Sequence, residues 1–243
     1  MALLPWRKAI ITKIIDETAN TRRFCFELEE KTAFNFIPGQ FVTLDLPISE
    51  KRTKRLRSYS IASSPDNTNC FELIIVHLEG GAGTSYLFEE GRVGFEITLR
   101  GPLGTFVLPE ILERDICMIC TGTGIAPFRS QLKHIYDQKL KHKELHLVFG
   151  TRTIADTLYY DEMKELSEKW PEFHFHVALS RETPENWKGH IGYVHDIYSS
   201  ISGNGSRDMD FYLCGWKNMV DDARMKLKSL GYDNNRIHLE LYG

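Results

Sequence analysis

The stretch Ile116-Cys117-Met118-Ile119-Cys120-Thr121-Gly122-Thr123-Gly124-Ile125-Ala126-Pro127-Phe128-Arg129 decides the fold. Five apolar residues read as a buried strand, a glycine turn follows, and an amphipathic helical pattern begins behind it. Glycine permits the turn and a close backbone approach. The unbonded N–H groups at a helix start, with the positive end of its dipole, favour an anion such as a pyrophosphate. Pro127 suits the first helical turn, where its missing N–H costs no hydrogen bond. It also stands where the third glycine of the Gly-x-Gly-x-x-Gly fingerprint would fall. On this motif alone, a purely structural strand-to-helix turn stays open beside the nucleotide reading.

Working downstream, strand and helix alternate: strand 116–120, helix 125–140, strand 144–149, helix 159–169, strand 173–179, helix 193–201, strand 210–214, helix 217–230 and strand 236–241. That alternation implies a doubly wound parallel sheet, in which ligands bind beyond the carboxyl ends of the strands. Three more strand ends then matter: Phe149-Gly150-Thr151-Arg152, Leu179-Ser180-Arg181 and Leu213-Cys214-Gly215. Upstream the text changes to short β-rich runs at 9–15, 23–28, 41–46, 57–62, 71–77 and 94–100, broken by one helical segment at 84–90. Such regular short strands suggest an antiparallel barrel. The change of rhythm near Pro109 to Arg114 divides the chain into domains at 1–109 and 110–243.

Composition excludes several classes. The 243 residues carry a net charge of −3 and are 42% hydrophobic, so no global basic field draws the chain to nucleic acid or an anionic membrane. No apolar run approaches the roughly 20 residues of a membrane span, and the Met1–Lys8 stretch lacks the order of a signal peptide, which gives a cytoplasmic expectation. Five cysteines, Cys25, Cys70, Cys117, Cys120 and Cys214, are scattered through apolar surroundings. They form no disulfide framework, no four-cysteine cluster for an iron–sulfur centre and no metal site. Cys117-x-x-Cys120 reads as two small buried hydrophobes.

The barrel half has its own candidates. Arg57-Ser58-Tyr59-Ser60-Ile61-Ala62-Ser63-Ser64-Pro65 puts a guanidinium, an aromatic ring and hydroxyls on one strand, a mixture that can hold phosphate and stack on a flat heterocycle. Taken alone it is equally a strand with alternating faces. Gly80-Gly81-Ala82-Gly83-Thr84-Ser85 opens a helix and offers a second phosphate cradle. Lys51-Arg52-Thr53-Lys54-Arg55 concentrates four positive charges, either as a solvated loop or as a docking patch for an acidic electron carrier or for flavin-nucleotide phosphates.

Together with Pro38-Gly39-Gln40-Phe41, Gly101-Pro102-Leu103-Gly104-Thr105-Phe106 and Cys214-Gly215, these motifs resemble, in order and over nearly the whole chain, the ferredoxin–NADP⁺ reductase superfamily. The resemblance implies an N-terminal antiparallel Greek-key β-barrel that binds FAD, and a C-terminal Rossmann-like parallel α/β domain that binds NAD(P)H. It implies that the two reactive rings meet where the domains meet. Arg57 would pair with the flavin phosphates, Ser58 and Tyr59 would line the flavin strand, and Ser60 would hydrogen-bond near flavin N5. Gly83, Thr84 and Ser85 would cradle the pyrophosphate, with Val76 and His77 flanking the ribityl and adenosine side. Thr121, Gly122, Thr123 and Gly124 would face the nicotinamide nucleotide, with Cys214 and Gly215 beside its ring. For Cys214 a merely buried thiol stays open, and for Tyr242 either stacking on the flavin or packing beneath the last strand. Glu240 would stabilise charge or relay a proton.

Ser180-Arg181-Glu182 resembles the stretch with which NADP-preferring members grip the 2′-phosphate, and Arg152 is positioned to help. This favours NADP, with NAD possible. The resemblance thus implies a flavoenzyme that moves hydride from NAD(P)H to FAD and single electrons to a protein acceptor, ferredoxin or flavodoxin. Other readings are a reductase component for an oxygenase or haem protein, a free-flavin reductase, and a non-catalytic nucleotide-binding redox module.

Overall fold

The computed structural model describes residues 4–242; Met1, Ala2, Leu3 and Gly243 lie outside the described residues. The chain forms two compact units. One comprises the residues up to Leu108 with Ala126–Gln138, the other Pro109–Ile125 with the residues from Lys139 onward.

The first unit holds β1 (Arg7–Thr18), β2 (Thr21–Leu28), β3 (Phe41–Asp45), β4 (Leu56–Ser60), β5 (Cys70–Val76), α1 (Ala82–Glu89) and β6 (Glu96–Leu103). Its strands lie in the order β4-β3-β6-β1-β2-β5 and pair antiparallel. A bridge between Ile61 and Leu73 joins the ends of that order and closes the barrel. The hairpins β1–β2 and β3–β4 with β6 inserted between them give the Greek-key path. Inward alternation is clean on β2, where Phe24, Phe26 and Leu28 are buried and Phe26 stacks on Phe71 at 5.1 Å. Burying each such side chain contributes about 1.5–3 kcal/mol, against about 0–1 kcal/mol for an exposed pair, so the inward stripe sets the register. The Lys8–Glu96 pair is of the exposed kind. β6 runs past its expected end at Arg100. Phe41 pairs with Leu103 but Thr43 with Arg100, so Gly101 and Pro102 sit at a bulge where proline is tolerated.

Helix α2 (Ile125–Gln138) follows the glycine turn, and its residues from Ala126 on group with the barrel. This differs from the linear division of the sequence, and the cause is specific bonding. Arg129, only 7% exposed, donates to the Ala62 carbonyl at 2.8 Å and to Glu72 Oε1 at 3.0 Å. Ser130 Oγ donates to Ser63 O at 2.6 Å and Gln131 Nε2 to Phe106 O at 3.0 Å.

The second unit contains β7 (Asp115–Thr121), β8 (Leu145–Thr151), α3 (Tyr160–Lys169), β9 (Phe173–Leu179), β10 (His190–Ile191), α4 (Val194–Ile201), β11 (Met209–Trp216), α5 (Lys217–Ser229) and β12 (Ile237–Tyr242). The sheet order is β10-β9-β8-β7-β11-β12, all parallel. The chain winds outward from β7 through β8 and β9, then returns to β11 on the other side of β7. The order therefore reverses between β7 and β11, the point where such sheets bind ligands. β7 and β8 are buried along nearly their whole length, as central strands of a parallel sheet are. No helix among the described residues is long and apolar enough to cross a membrane.

Removing Arg129 takes the 3.0 Å guanidinium partner from the partly buried carboxylate of Glu72. We expect Arg129→Met to lower the unfolding free energy by about 3 kcal/mol in urea titrations followed by circular dichroism, and Lys8→Met, at an exposed pair, to have a far smaller effect. Equal effects from the two would contradict this assignment.

Candidate functional site

At the reversal point of the parallel sheet, Gly122–Gly124 forms a single 3₁₀ turn that runs directly into α2. Gly122 takes φ +52°, a left-handed conformation that glycine accepts without cost. A Cβ on Gly124 would lie 2.4 Å from the Cys214 carbonyl oxygen and 2.9 Å from Gly215 Cα, so the turn rests on the backbone of β11. Thr121, Gly122, Thr123, Gly124, Cys214 and Gly215 are thereby brought together. The Thr121 hydroxyl is buried and meets no hydrogen-bond partner among the described residues.

One cross-strand row ends here. In register, Cys120 on β7 faces Cys214 on β11, which faces Glu240 on β12. Tyr242 lies two residues beyond Glu240 on the same face of β12. Burial, reinforced by the nearby Glu240 carboxylate and Cys120, pushes the Cys214 thiol well above its ordinary range. Burial also raises Cys117 and Cys120. These thiols stay protonated at neutral pH, so Cys214 offers a small polarizable surface rather than a nucleophile.

Beyond the strand ends, β8 and β9 stay zipped: Ser180 N–H donates to Thr151 O at 3.0 Å and Arg181 N–H to Arg152 O at 2.8 Å. Arg152 and Arg181 are exposed there, and neither has a carboxylate partner among the described residues. The acid on this turn, Glu182, is engaged, accepting the Ile154 N–H at 3.0 Å.

In the barrel unit, β4 divides its motif by alternation. Ser58 is exposed and shares a hydrogen bond with Thr43 Oγ1 at 3.0 Å, while Tyr59 packs against the barrel core. Burial pushes the Tyr59 hydroxyl up to about 12, so it remains a neutral ring. Ser60 is 3% exposed, and its hydroxyl has no partner among the described residues. Arg57 lies against the first turn of α1, where a Cβ on Gly83 would come within 2.8 Å of its Cγ. No acidic residue occupies that turn. The Thr84 hydroxyl instead shapes the loop, bonding Leu78 N–H at 3.1 Å and Gly81 O at 3.0 Å. Ser85 Oγ meets His77 Nε2 at 3.2 Å, joining α1 to the chain just past Val76 at the end of β5. The 51–55 run is partly neutralised, because Arg55 and Arg52 reach Asp45 at 2.6 and 3.6 Å; Lys51 and Lys54 stay exposed.

The residues fit two nucleotides. The barrel unit has an orphaned buried hydroxyl at Ser60 and a guanidinium against an acid-free helix start. The parallel sheet has an orphaned Thr121 hydroxyl beside a turn whose backbone is open to a close approach. Comparison with known proteins agrees. Residues 8–108 match the oxidoreductase FAD-binding domain family and residues 118–225 the oxidoreductase NAD-binding domain family. The chain is 34% identical over 230 residues to ferredoxin–NADP reductase B of Sorangium cellulosum, covering 91% of both chains. It is 30% identical over 233 residues to the glycine betaine monooxygenase reductase subunit of Chromohalobacter salexigens, covering 95% of this chain and 62% of that one. It thus spans less than two thirds of that longer relative. A crystal structure of an Amycolatopsis cytochrome P450 reductase superposes with a TM-score of 0.84 at 28% identity, over 99% of this chain and 71% of that one. The chain belongs to the ferredoxin–NADP⁺ reductase-like flavoprotein superfamily, with an FAD-binding β-barrel and an NAD-binding α/β domain.

Two features escaped the sequence reading. Arg129 was quoted only as the end of the glycine motif, and its partner Glu72 lies 57 positions earlier. Glu144, His146 and His174 converge on neighbouring strands. The alternation His174-Phe175-His176 was the one local hint.

Raised thiol pKa values leave little thiolate at any pH below them, so burial predicts selective alkylation. At pH 8 iodoacetamide should label exposed Cys70 in the native protein and spare Cys117, Cys120 and Cys214 until denaturant is added, as read by peptide mass spectrometry. Fast native labelling of Cys214 would contradict the buried-thiol assignment.

Proposed function

We propose that this chain is an FAD-dependent NADPH reductase that delivers electrons one at a time to a small electron-carrier protein, ferredoxin or flavodoxin. The observation that carries the reading is the reversal point of the parallel sheet, where the Gly122–Gly124 turn, Cys214 and Glu240 converge on one strand end. When bound, the flavin accepts hydride from the reduced nicotinamide and releases electrons singly, chemistry that no side chain supplies. The protein's own residues bind and orient. Arg57 and the first turn of α1 hold the FAD phosphates, and the orphaned Ser60 hydroxyl hydrogen-bonds the flavin edge. Thr121 and the N–H groups of Thr123 and Gly124 hold the nicotinamide nucleotide. The buried, protonated Cys214 thiol backs the strand end that the ring meets, and Glu240 supplies a carboxylate in register with it.

Arg152 and Arg181, exposed and unpaired by acids, favour a 2′-phosphate, while the engaged Glu182 carboxylate is poorly available to a ribose hydroxyl. A carrier of the ferredoxin kind is supported by the Sorangium relative, matched along 91% of its length. The Chromohalobacter relative supports a second reading, the reductase component of an oxygenase. Free, buried thiols at Cys117, Cys120 and Cys214 support a reducing, cytoplasmic setting.

A charge-assisted hydrogen bond contributes about 1.5–3 kcal/mol, so Arg181→Ala should raise KM for NADPH about ten- to hundredfold. Steady-state kinetics with an artificial acceptor should show kcat and the NADH KM holding within about twofold. Equal losses with both nucleotides, or none with NADPH, would refute the phosphate role.

A further inference from the structure

We propose that Glu144, His146 and His174 form a binding site for a divalent cation of the zinc class, clipping β8 to β9. Parallel register sets His146 directly beside His174, and Glu144 lies two residues before His146 on the same face. One ligand atom from each of the three lies within 4.8 Å of the others. The His146 and His174 rings stack at 4.7 Å, and His174 Nε2 already meets Glu144 Oε2 at 2.5 Å. Nitrogen and carboxylate oxygen donors suit zinc. With bonds of about 2.0–2.1 Å its tetrahedral ligands stand about 3.4 Å apart, so the widest pair here closes by roughly an ångström through side-chain rotation.

Two further facts separate a site from ordinary packing. His146 is 7% exposed, and its Nε2 is buried with no partner among the described residues, a nitrogen that has lost water and gained nothing. Its other nitrogen, Nδ1, faces His176 Nε2 at 3.4 Å, so a fourth group stands ready to accept the ring N–H and fix the tautomer, as the outer partners of metal-bound histidines do. The neighbouring cation, Arg207, is committed to Asp115, which also accepts the Glu144 N–H at 3.3 Å.

The cluster lies at the amino ends of β8 and β9, whereas the nucleotide turns leave their carboxyl ends. His146 and Thr151 are five residues apart, roughly 17 Å at about 3.3 Å per residue, so this site is separate from the proposed nucleotide chemistry. Its role is to staple β8 to β9, and binding to the folded state alone raises thermal stability.

The test is isothermal titration of the untagged, flavin-loaded, EDTA-treated full chain with Zn²⁺. Because removing buried His146 risks the fold, the variants are the half-exposed ligands, Glu144→Gln and His174→Gln, with His195→Gln as a histidine outside the cluster. Circular dichroism and flavin content verify folding. One Zn²⁺ per chain is expected, weakened about tenfold or more by E144Q and H174Q, unchanged by H195Q, and accompanied by a rise in melting temperature that both ligand variants abolish. Absence of one-to-one binding, native affinity in E144Q and H174Q, or equal weakening by H195Q would overturn the proposal.

Discussion

Where the order of the parallel sheet reverses, the backbone after β7 lies directly on the backbone of β11, and the space between them admits no side chain. A methyl group on Gly124 would stand 2.4 Å from the Cys214 carbonyl oxygen. That contact fixes how the 3₁₀ turn enters α2, which N–H groups remain unbonded there, and how near any ligand on the turn comes to Cys214. The third glycine of the usual fingerprint is replaced by Pro127, yet this close approach is kept by Gly124. Because main-chain atoms meet main-chain atoms, the arrangement has little freedom to adjust, which suits a site that must orient a ring.

Polar groups without protein partners mark both proposed nucleotide surfaces. Ser60 and Thr121 each bury a hydroxyl that nothing in the described chain satisfies, and a native fold leaves few such groups without reason. The charges agree. The chain as a whole carries a net charge of −3, yet Arg57, Arg152 and Arg181 stand at nucleotide turns without a carboxylate beside them. Local field, not net charge, is what an incoming phosphate meets. The thiols of Cys120 and Cys214 are held protonated by burial, which leaves Glu240 as the charged member of that cross-strand row.

Much of this was legible in the residues. The apolar run 116–120, the turn after it and the alternation of strand and helix downstream determined the parallel sheet. β10 was invisible, since His190–Ile191 is two residues long and carries no period. β6 extends beyond the 94–100 run through Gly101 and Pro102 to Leu103, where the bulge opposite β3 tolerates the proline. What could not be read was long-range pairing. The bond of Arg129 to Glu72 and the meeting of His146 with His174 depend on register between segments that share no local pattern. The motif Arg57-Ser58-Tyr59-Ser60 could be quoted, but not that Ser58 would bond Thr43 while Ser60, on the same face of β4, would be buried and stay unbonded.

The central claim is that a nicotinamide nucleotide seated on the Gly122–Gly124 turn reduces the flavin of the barrel unit. Anaerobic stopped-flow spectroscopy of the flavin, mixed with NADPH over a range of concentrations, tests it most directly when the native chain is compared with Gly124→Ala. The native flavin should be reduced at a rate that saturates with NADPH. In the variant the forced backbone shift, of about 1–3 kcal/mol, should raise the concentration for half-maximal rate about five- to hundredfold at unchanged flavin content. A native flavin that NADPH fails to reduce, or a variant that saturates like the native protein, would contradict the account.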